Sequence, residues 1–157
     1  MAEPASPEVE HAVAVCAAHG NAASELIEIF HDIQDEAGCV AETALPAIAK
    51  ALNLSRAEVH GVMSFYHDFR RTPAGRVRVQ VCRAESCQSR GASALIEAFC
   101  ARHDLGLGET SRDGMLTIEA VYCLGNCALS PAAMVNGRLV GRADVARLDA
   151  LVAEARS

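Results

Sequence analysis

Four of the seven cysteines form two closely spaced pairs along the chain. Four residues separate Cys82 from Cys87, and three separate Cys123 from Cys127. Each pair directly follows a stretch in which apolar residues alternate as in a half-buried β-strand. Loops that leave the same edge of a sheet can bring their thiolates around one centre. These four cysteines are therefore candidate ligands of a metal centre.

Three chemistries compete for the four thiolates. Structural zinc is often held by four cysteines, but its ligand pairs usually enclose two residues, and neither pair here does. A dithiol redox site needs Cys-x-x-Cys, which the chain lacks. A [2Fe-2S] cluster also takes four thiolates, and a four-residue gap occurs in plant-type ferredoxins. The spacing favours an iron–sulfur centre over zinc, with unconnected buried cysteines as the third interpretation.

The residues around both pairs are suited to negative charge on sulfur. Five of them leave backbone N–H groups free to point at a thiolate: Ser86, Ser89, Gly91, Gly125 and Asn126. Such hydrogen bonds stabilise the more negative, reduced state of an iron–sulfur cluster. Arg83 and Arg90 are expected to flank the same charge. Zinc gains less from this arrangement, so the surroundings also favour iron–sulfur.

The remaining cysteines and the aromatic residues have a structural interpretation. Three cysteines are solitary and lie on or beside predicted helices, namely Cys16, Cys39 and Cys100. We expect them to pack as small apolar residues. Phe65, Tyr66 and Phe69 are expected in the core, with contact to a partner as the alternative. No catalytic residue is predicted.

The composition indicates a globular protein and excludes several function classes. Of 157 residues, 51% are apolar and 22% are charged, and the formal net charge is −6. An acidic chain is a poor ligand for nucleic acid or anionic membranes, and no apolar run reaches the roughly 20 residues that cross a bilayer. The N-terminus lacks a signal-peptide pattern, and the odd cysteine count argues against a secreted disulfide framework. We expect a cytoplasmic protein without membrane insertion.

Charge and turn signals divide the chain. Residues 1–75 carry four basic against eleven acidic side chains, whereas the remainder carries ten arginines against nine carboxylates. Pro73 and Gly75 supply turn chemistry at the point of change. We predict two domains, residues 1–74 and 75–157.

The first domain is predicted to be a bundle of short helices. One helix follows from apolar residues at helical spacing, Leu26, Ile27, Ile29, Phe30 and Ile33. Gly38 ends that helix, and Thr43 is the candidate cap of the next. Ser55 and Glu58 have the spacing of a capping box, which predicts a helix from Ser55 that continues to Phe69.

The second domain is predicted to have the order β-α-β-β-β-α. Its strands are predicted at residues 77–81, 115–121, 133–135 and 139–140, and its first helix at residues 90–103. Asn136 and Gly137 are the strongest short signal for a tight hairpin between the last two strands. Asp144 is the candidate cap of a final helix through Val152.

Three strings resemble the thioredoxin-like [2Fe-2S] ferredoxin family in order and separation: VQVCRAESCQSRGA, VYCLGNCALSP and MVNGRLVGR. The string AEVHGVMSFYHDF is similar to the helix that precedes the linker in that family. The resemblance implies an α/β fold, with an N-terminal helical bundle followed by a thioredoxin-like α/β domain. It also implies one [2Fe-2S] cluster, held by Cys82, Cys87, Cys123 and Cys127.

The resemblance further implies partner subunits. The family includes the small iron–sulfur subunit of complex I and its relatives in NAD-linked formate dehydrogenases and NAD-reducing hydrogenases. One expected partner is a flavoprotein that holds FMN, NAD and a further iron–sulfur cluster. The string CRAESCQS is most similar to the gamma subunit of molybdenum-containing, NAD-dependent formate dehydrogenases, which implies a catalytic subunit with a molybdenum cofactor.

The predicted function is one-electron transfer within a larger oxidoreductase, because hydride chemistry needs a two-electron cofactor that a [2Fe-2S] cluster does not provide. The main interpretation is a subunit of formate dehydrogenase, which oxidises formate to CO2 and reduces NAD. The equivalent subunit of complex I or of an NAD-reducing hydrogenase is the alternative within the family. A zinc-stabilised structural adaptor is the alternative from another class.

Overall fold

A computed structural model describes residues 6–156 of the chain. Contacts between residues divide the chain after Pro73 into two compact units, and each is described by itself below. The predicted N-terminal helices and the following α/β arrangement are both confirmed. The domain bounds 1–74 and 75–157 stay a prediction. No helix in residues 6–156 combines the length and the apolar character that crossing a bilayer requires.

Residues 6–73 of the first unit form four α-helices, with short 3-10 turns before the second and third: α1 Pro7–Ala18, α2 Leu26–Ala37, α3 Leu45–Leu52 and α4 Arg56–Phe65. Each helix contributes buried apolar side chains to one core, with Phe30 and Ile48 among the largest that are fully enclosed. The apolar stripe of α2 faces this core, as the spacing of its residues predicts.

Local signals set the ends of these helices. Gly38 ends α2 in the left-handed region, with φ of 80°. The capping box at the start of α4 is confirmed, because the Glu58 N–H donates to Ser55 Oγ and the Ser55 N–H donates to Glu58 Oε2. Thr43 does not cap α3. The N-cap position belongs to Ala44, and the Thr43 hydroxyl donates to a carboxylate oxygen of Glu8.

The predicted length of α4 is wrong. The helix ends at Phe65 because Tyr66 is extended, with φ of −90° and ψ of 101°. Phe69 still packs in the core from the segment that follows, where its ring meets that of Phe30 edge to face at 5.1 Å. The apolar pattern thus identifies a core side chain correctly, but that side chain is not part of the helix.

The second unit holds one four-stranded sheet and three helices, in the order β1 Val77–Cys82, α5 Glu85–Ser89, α6 Ala92–His103, β2 Leu116–Val121, β3 Ala133–Val135, β4 Arg138–Val140 and α7 Val145–Arg156. The strand order is β2-β1-β3-β4. β1 pairs with β2 in parallel and with β3 antiparallel, and β3 pairs with β4 antiparallel. Both α6 and α7 pack against β1 and against each other, so they close the core over the sheet.

Turns and caps of the second unit follow the sequence signals. Asn136 and Gly137 have φ of 46° and 82°, as a two-residue hairpin turn requires. Asp144 caps α7 by accepting the Arg147 N–H at 2.8 Å. The single helix predicted over residues 90–103 is wrong at its start. Gly91, with φ of 90°, separates α5 from α6.

Candidate metal centre

The parallel pairing of β1 and β2 brings the two cysteine loops to one edge of the sheet. Cys82 is the last residue of β1 and lies opposite Val121, the last residue of β2. Cys87 follows within α5, Cys123 lies two residues beyond β2, and Cys127 begins a 3-10 turn. Because parallel strands end on the same side, both loops begin at the same edge of the sheet, and the meeting of their four thiolates around one centre stays a prediction.

The two pairs differ in exposure to solvent. Cys82 and Cys87 are 2% and 1% exposed, and we call them the inner pair. Cys123 and Cys127 are both exposed, and we call them the outer pair. All four are free cysteines. One side of the site is therefore covered by protein, and the other side faces outward.

The thiols of the two pairs influence one another electrostatically. The negative charge of Cys123 is the largest cause of a raised pKa at Cys127, and Cys87 from the inner pair adds to it. Burial is the largest cause of the raised pKa of Cys82, and Cys87 contributes by hydrogen bonding and charge. Cys87 thus acts on the pKa of one cysteine in each pair, Cys82 and Cys127. Repulsion among them is relieved when a cationic metal core lies between them.

Backbone N–H groups are directed at these sulfur atoms. The Gly125 N–H lies 3.3 Å from Cys123 Sγ, as expected for this loop, in a turn where Gly125 has φ of 71°. The N–H groups of Ala84 and Leu124 lower the pKa of Cys82 by hydrogen bonding. Gly91 does not take this role, since its N–H donates to the carbonyl of Gln88.

Cys87 is the cysteine whose surroundings best stabilise the thiolate. Burial acts most strongly and raises its pKa, but hydrogen bonds from the Ala132 N–H, Ser130 and Cys82 together bring the pKa below its ordinary value. A metal ligand must be deprotonated, so these donors favour binding. Ala132 lies just before β3, and no sequence signal indicated its approach to this sulfur.

Two serines connect the cysteine loops. Ser86 Oγ lies 2.8 Å from Ser130 Oγ, and both hydroxyls can donate to the carbonyl oxygen of Cys127. Ser86 stands between the first two cysteines and Ser130 follows the last one, so this bridge spans the two loops. No pattern along the chain indicates that these two residues meet.

The arginines beside the site are placed differently from each other. Arg83 is half-buried, and its backbone N–H donates to the backbone carbonyl of Val121. Arg90 is exposed at the C-terminal end of α5. Their action on the charge of a cluster stays a prediction.

Two of the solitary cysteines, Cys16 and Cys100, pack with apolar side chains, as expected. Cys16 is buried, Cys39 and Cys100 are half-buried, and burial is the first cause of a raised pKa in all three. For the aromatic residues, the core prediction is wrong at two of three positions. Phe65 is 73% exposed and Tyr66 is 42% exposed, because α4 ends there.

The residue types and the position of the two cysteine loops suit a two-iron centre. Among residues 6–156, no group of three or more His, Cys, Asp or Glu side chains is placed closely enough to hold a metal ion. A [2Fe-2S] cluster takes four thiolates shared between two irons, and the loops supply two pairs of thiols at one edge. The directed N–H groups complete the surroundings that such a cluster requires.

Comparison with known proteins decides the family. The profile described as thioredoxin-like [2Fe-2S] ferredoxin matches residues 12–156. The chain belongs to this family. Membership implies a [2Fe-2S] cluster.

Several members of the thioredoxin-like [2Fe-2S] ferredoxin family are similar to this chain. An NADH-quinone oxidoreductase subunit of Pseudomonas aeruginosa is 36% identical over 110 residues, which are 70% of this chain and 66% of that protein. The HndA subunit of the NADP-reducing hydrogenase of Solidesulfovibrio fructosivorans is 29% identical over 129 residues, 82% of this chain and 75% of that protein. The chain spans just under two thirds of the first of these relatives.

A solved structure extends the likeness to both units. A chain in the crystal structure of an air-oxidised NAD+-reducing [NiFe]-hydrogenase matches with a TM-score of 0.71 and 29% identity, over 87% of this chain and 23% of that chain. These relatives belong to quinone oxidoreductases and hydrogenases. The similarity of CRAESCQS to formate dehydrogenase subunits therefore stays a prediction.

Proposed function

We propose that this chain is the one-electron [2Fe-2S] subunit of an NAD(H)-linked oxidoreductase complex, of the complex I or NAD-reducing hydrogenase type. Its cluster ligands are Cys82, Cys87, Cys123 and Cys127. The observation that supports the proposal is that both cysteine loops follow neighbouring parallel strands and so begin at one edge of the sheet, in a member of this family.

The protein residues prepare the site for changes of charge. When bound, the cluster carries one electron at a time, between a diferric and a mixed-valence state. The two loops supply thiolates, and the N–H groups of Ala84, Leu124 and Gly125 donate to sulfur. These donors stabilise the more negative state, because hydrogen bonds to an anion strengthen as its charge grows. The inner pair excludes water from one side of the site.

The partner we infer is a flavoprotein subunit that binds FMN and NAD and carries a further iron–sulfur cluster. NAD reduction transfers a hydride, which contains two electrons, so a flavin must connect it to one-electron carriers. The outer pair supports this assignment, because Cys123 and Cys127 lie on the side that solvent or a partner reaches.

The parent complex has one further candidate. The relatives support complex I or an NAD-reducing hydrogenase. The further candidate is a molybdenum-containing formate dehydrogenase, and its support is the resemblance of the string CRAESCQS. In that complex a catalytic subunit with a molybdenum cofactor would be a second partner. The zinc-stabilised adaptor remains the alternative of another class, and it differs in a measurable property because a zinc protein is colourless.

The test is to isolate the chain with its native complex and to supply three substrates separately. Formate with NAD, hydrogen with NAD, and NADH with a quinone each identify one parent, and the co-purifying large subunit gives an independent assignment. We expect a brown preparation whose reduced form is paramagnetic. A colourless chain that contains zinc would refute the proposal.

A further inference from the structure

An apolar groove with a volume of about 650 Å³ lies in the first unit, between the start of α2 and the length of α4. Its floor includes half-buried side chains that pack on the core beneath, Ile27, Leu54 and Val62. Two exposed aromatic side chains, Phe65 and Tyr66, also line it. The groove is therefore apolar surface that the described helices of this unit leave uncovered.

The two aromatic side chains are held in place from below. The ring of Tyr66 meets that of the buried Phe69 at 6.0 Å, and the ring of Phe65 meets that of Tyr66 edge to face at 5.1 Å. Phe65 is nevertheless 73% exposed. A partner that covers rings already fixed in position loses little conformational entropy in ordering them. Aromatic side chains of this kind are typical energetic centres of protein interfaces.

Gly61 keeps the groove open in the middle of α4. It is an exposed residue of the groove lining, inside the helix, where glycine is the least favourable residue apart from proline. No contact within the described chain requires glycine here, because a Cβ atom would meet nothing within 4 Å. The missing side chain lets another backbone come close to the groove. Helix stability alone would favour a larger residue at this position.

Charge indicates which kind of occupant fits the groove. Residues 1–75 carry four basic against eleven acidic side chains. Glu58 lines the groove, and the exposed Glu28 directly follows Ile27 in α2, a helix without Lys or Arg. A second copy of this chain, a nucleic acid or an anionic membrane would bring negative charge to a negative surface. A basic polypeptide is complementary to it.

The fold of the first unit indicates the form of that polypeptide. Residues 6–73 contain no β-strand, so a bound segment cannot extend a sheet here. An apolar groove between helices accepts the apolar side of an amphipathic helix. We propose that this groove binds an amphipathic helix of a partner subunit, which inserts apolar side chains between α2 and α4 and places Lys or Arg beside Glu28 and Glu58. This inference rests on the proposed function, which supplies the partner subunits.

The first experiment identifies the occupant in the native complex. Phe65 is replaced by the photoreactive residue p-benzoylphenylalanine, the complex is irradiated, and the cross-linked peptide is sequenced by mass spectrometry. The same replacement at Val13 is the control, because Val13 is 42% exposed on α1 and does not line the groove. We expect only the Phe65 position to link to a helical partner segment that carries more Lys and Arg than Asp and Glu. A link to a second copy of this chain, to a segment of other charge, or to no polypeptide overturns the inference.

The second experiment measures the affinity of the full-length chain for the remaining subunits of the complex. Phe65→Ala is expected to weaken association about tenfold, as truncation of an aromatic interface centre does. Gly61→Leu should weaken association by filling the groove, while the free energy of unfolding does not fall because leucine favours a helix. Glu28→Lys should weaken association more at low than at high salt. Val13→Ala should bind as the unmodified chain does.

The two proposals fail in different ways. Unchanged affinity in both Phe65→Ala and Gly61→Leu overturns the groove as a docking site, whereas the colour of the cluster and its one-electron reduction would still support the proposed function. A weakened affinity of Glu28→Lys that does not depend on salt overturns the part assigned to charge. A colourless chain that contains zinc overturns the proposed function, and the cross-link then still reports what occupies the groove.

Discussion

Gly141 lies directly against Leu129. A Cβ atom on Gly141 would be 2.6 Å from the Leu129 Cβ and 3.0 Å from the Asn126 side-chain nitrogen. Leu129 ends the 3-10 turn that Cys127 begins, and its carbonyl accepts the Arg142 N–H at 2.6 Å. The segment after β4 therefore supports the loop that carries the outer pair.

Gly141→Ala is expected to weaken the hold of the site on its cluster. The new methyl group displaces Leu129, at a cost of about 1–3 kcal/mol. Bleaching of the visible absorption in the presence of an iron chelator should become several-fold faster. Gly61→Ala is the control, because a Cβ there meets nothing within 4 Å and Gly61 lies inside α4. Equal bleaching rates in the two variants would contradict the supporting role of Gly141.

Replacing any one proposed ligand should abolish normal cluster binding. Cys82→Ala removes a buried ligand, and Cys123→Ala removes an exposed one. In both variants we expect loss of the brown colour and a fall of more than about half in bound iron, because one iron then lacks a ligand and the two-iron core needs all four thiolates. Cys100→Ala should keep colour and iron, since Cys100 packs against the apolar core of the second unit. Full iron content in Cys123→Ala would exclude Cys123 as a ligand.

The aromatic residues after α4 should differ sharply in their effect on stability. Phe69 is 7% exposed and packs on Phe30, so Phe69→Ala is expected to cost about 3–5 kcal/mol in free energy of unfolding. Phe65 is 73% exposed, so Phe65→Ala should change the free energy of unfolding by less than about 0.5 kcal/mol. Denaturant unfolding of both variants measures the difference. Similar losses would contradict the packing of Phe69 on Phe30.

The capping box of α4 predicts a pH-dependent stability difference. Ser55→Ala should lower the free energy of unfolding by about 1 kcal/mol near neutral pH. Hydrogen bonds from the Ser55 backbone and side chain hold the pKa of Glu58 below its ordinary value. The stabilisation by ionised Glu58 is therefore present above the unfolded-state pKa and is lost as the pH falls through the lowered folded-state pKa. The gap between Ser55→Ala and the unmodified chain should narrow in acid.

Ser64→Ala is the matched control for this measurement. Ser64 lies in the same helix, and its hydroxyl donates back to the carbonyls of His60 and Gly61 rather than capping a terminus. Its replacement should leave stability nearly unchanged at every pH. A pH-independent gap in Ser55→Ala would show that Glu58 does not contribute through its charge.

The parts of the fold that could be predicted are those that neighbouring residues determine. Gly38, the Ser55–Glu58 box and the Asn136–Gly137 turn each act within a few residues, and all three are confirmed. The end of α4 was missed because Tyr66 lies in an apolar pattern that continues to Phe69, although the chain is extended there. The spacing of apolar residues predicts which side chains are buried, but it does not predict the backbone conformation of the residues between them.

The candidate site was predictable to the extent that the chain order determines it. Each cysteine pair follows a predicted strand, so the two loops begin at the same sheet edge if the strands are parallel neighbours. β1 and β2 are parallel neighbours in the structure. The approach of the Ala132 N–H to Cys87 and the contact of Ser86 with Ser130 depend on how the segment before β3 returns across the loops. Those contacts join residues more than forty positions apart, so the spacing of residues along the chain does not predict them.

The pairing of Cys82 with Val121 has a consequence for how these sequences can change. A single-residue insertion in β1 or β2 moves the point where the strand ends by about 3.3 Å and turns every following side chain to the opposite face. Either change would carry one cysteine pair out of reach of the other. We therefore expect that, among related proteins, an insertion in β1 is accompanied by an insertion of equal length in β2.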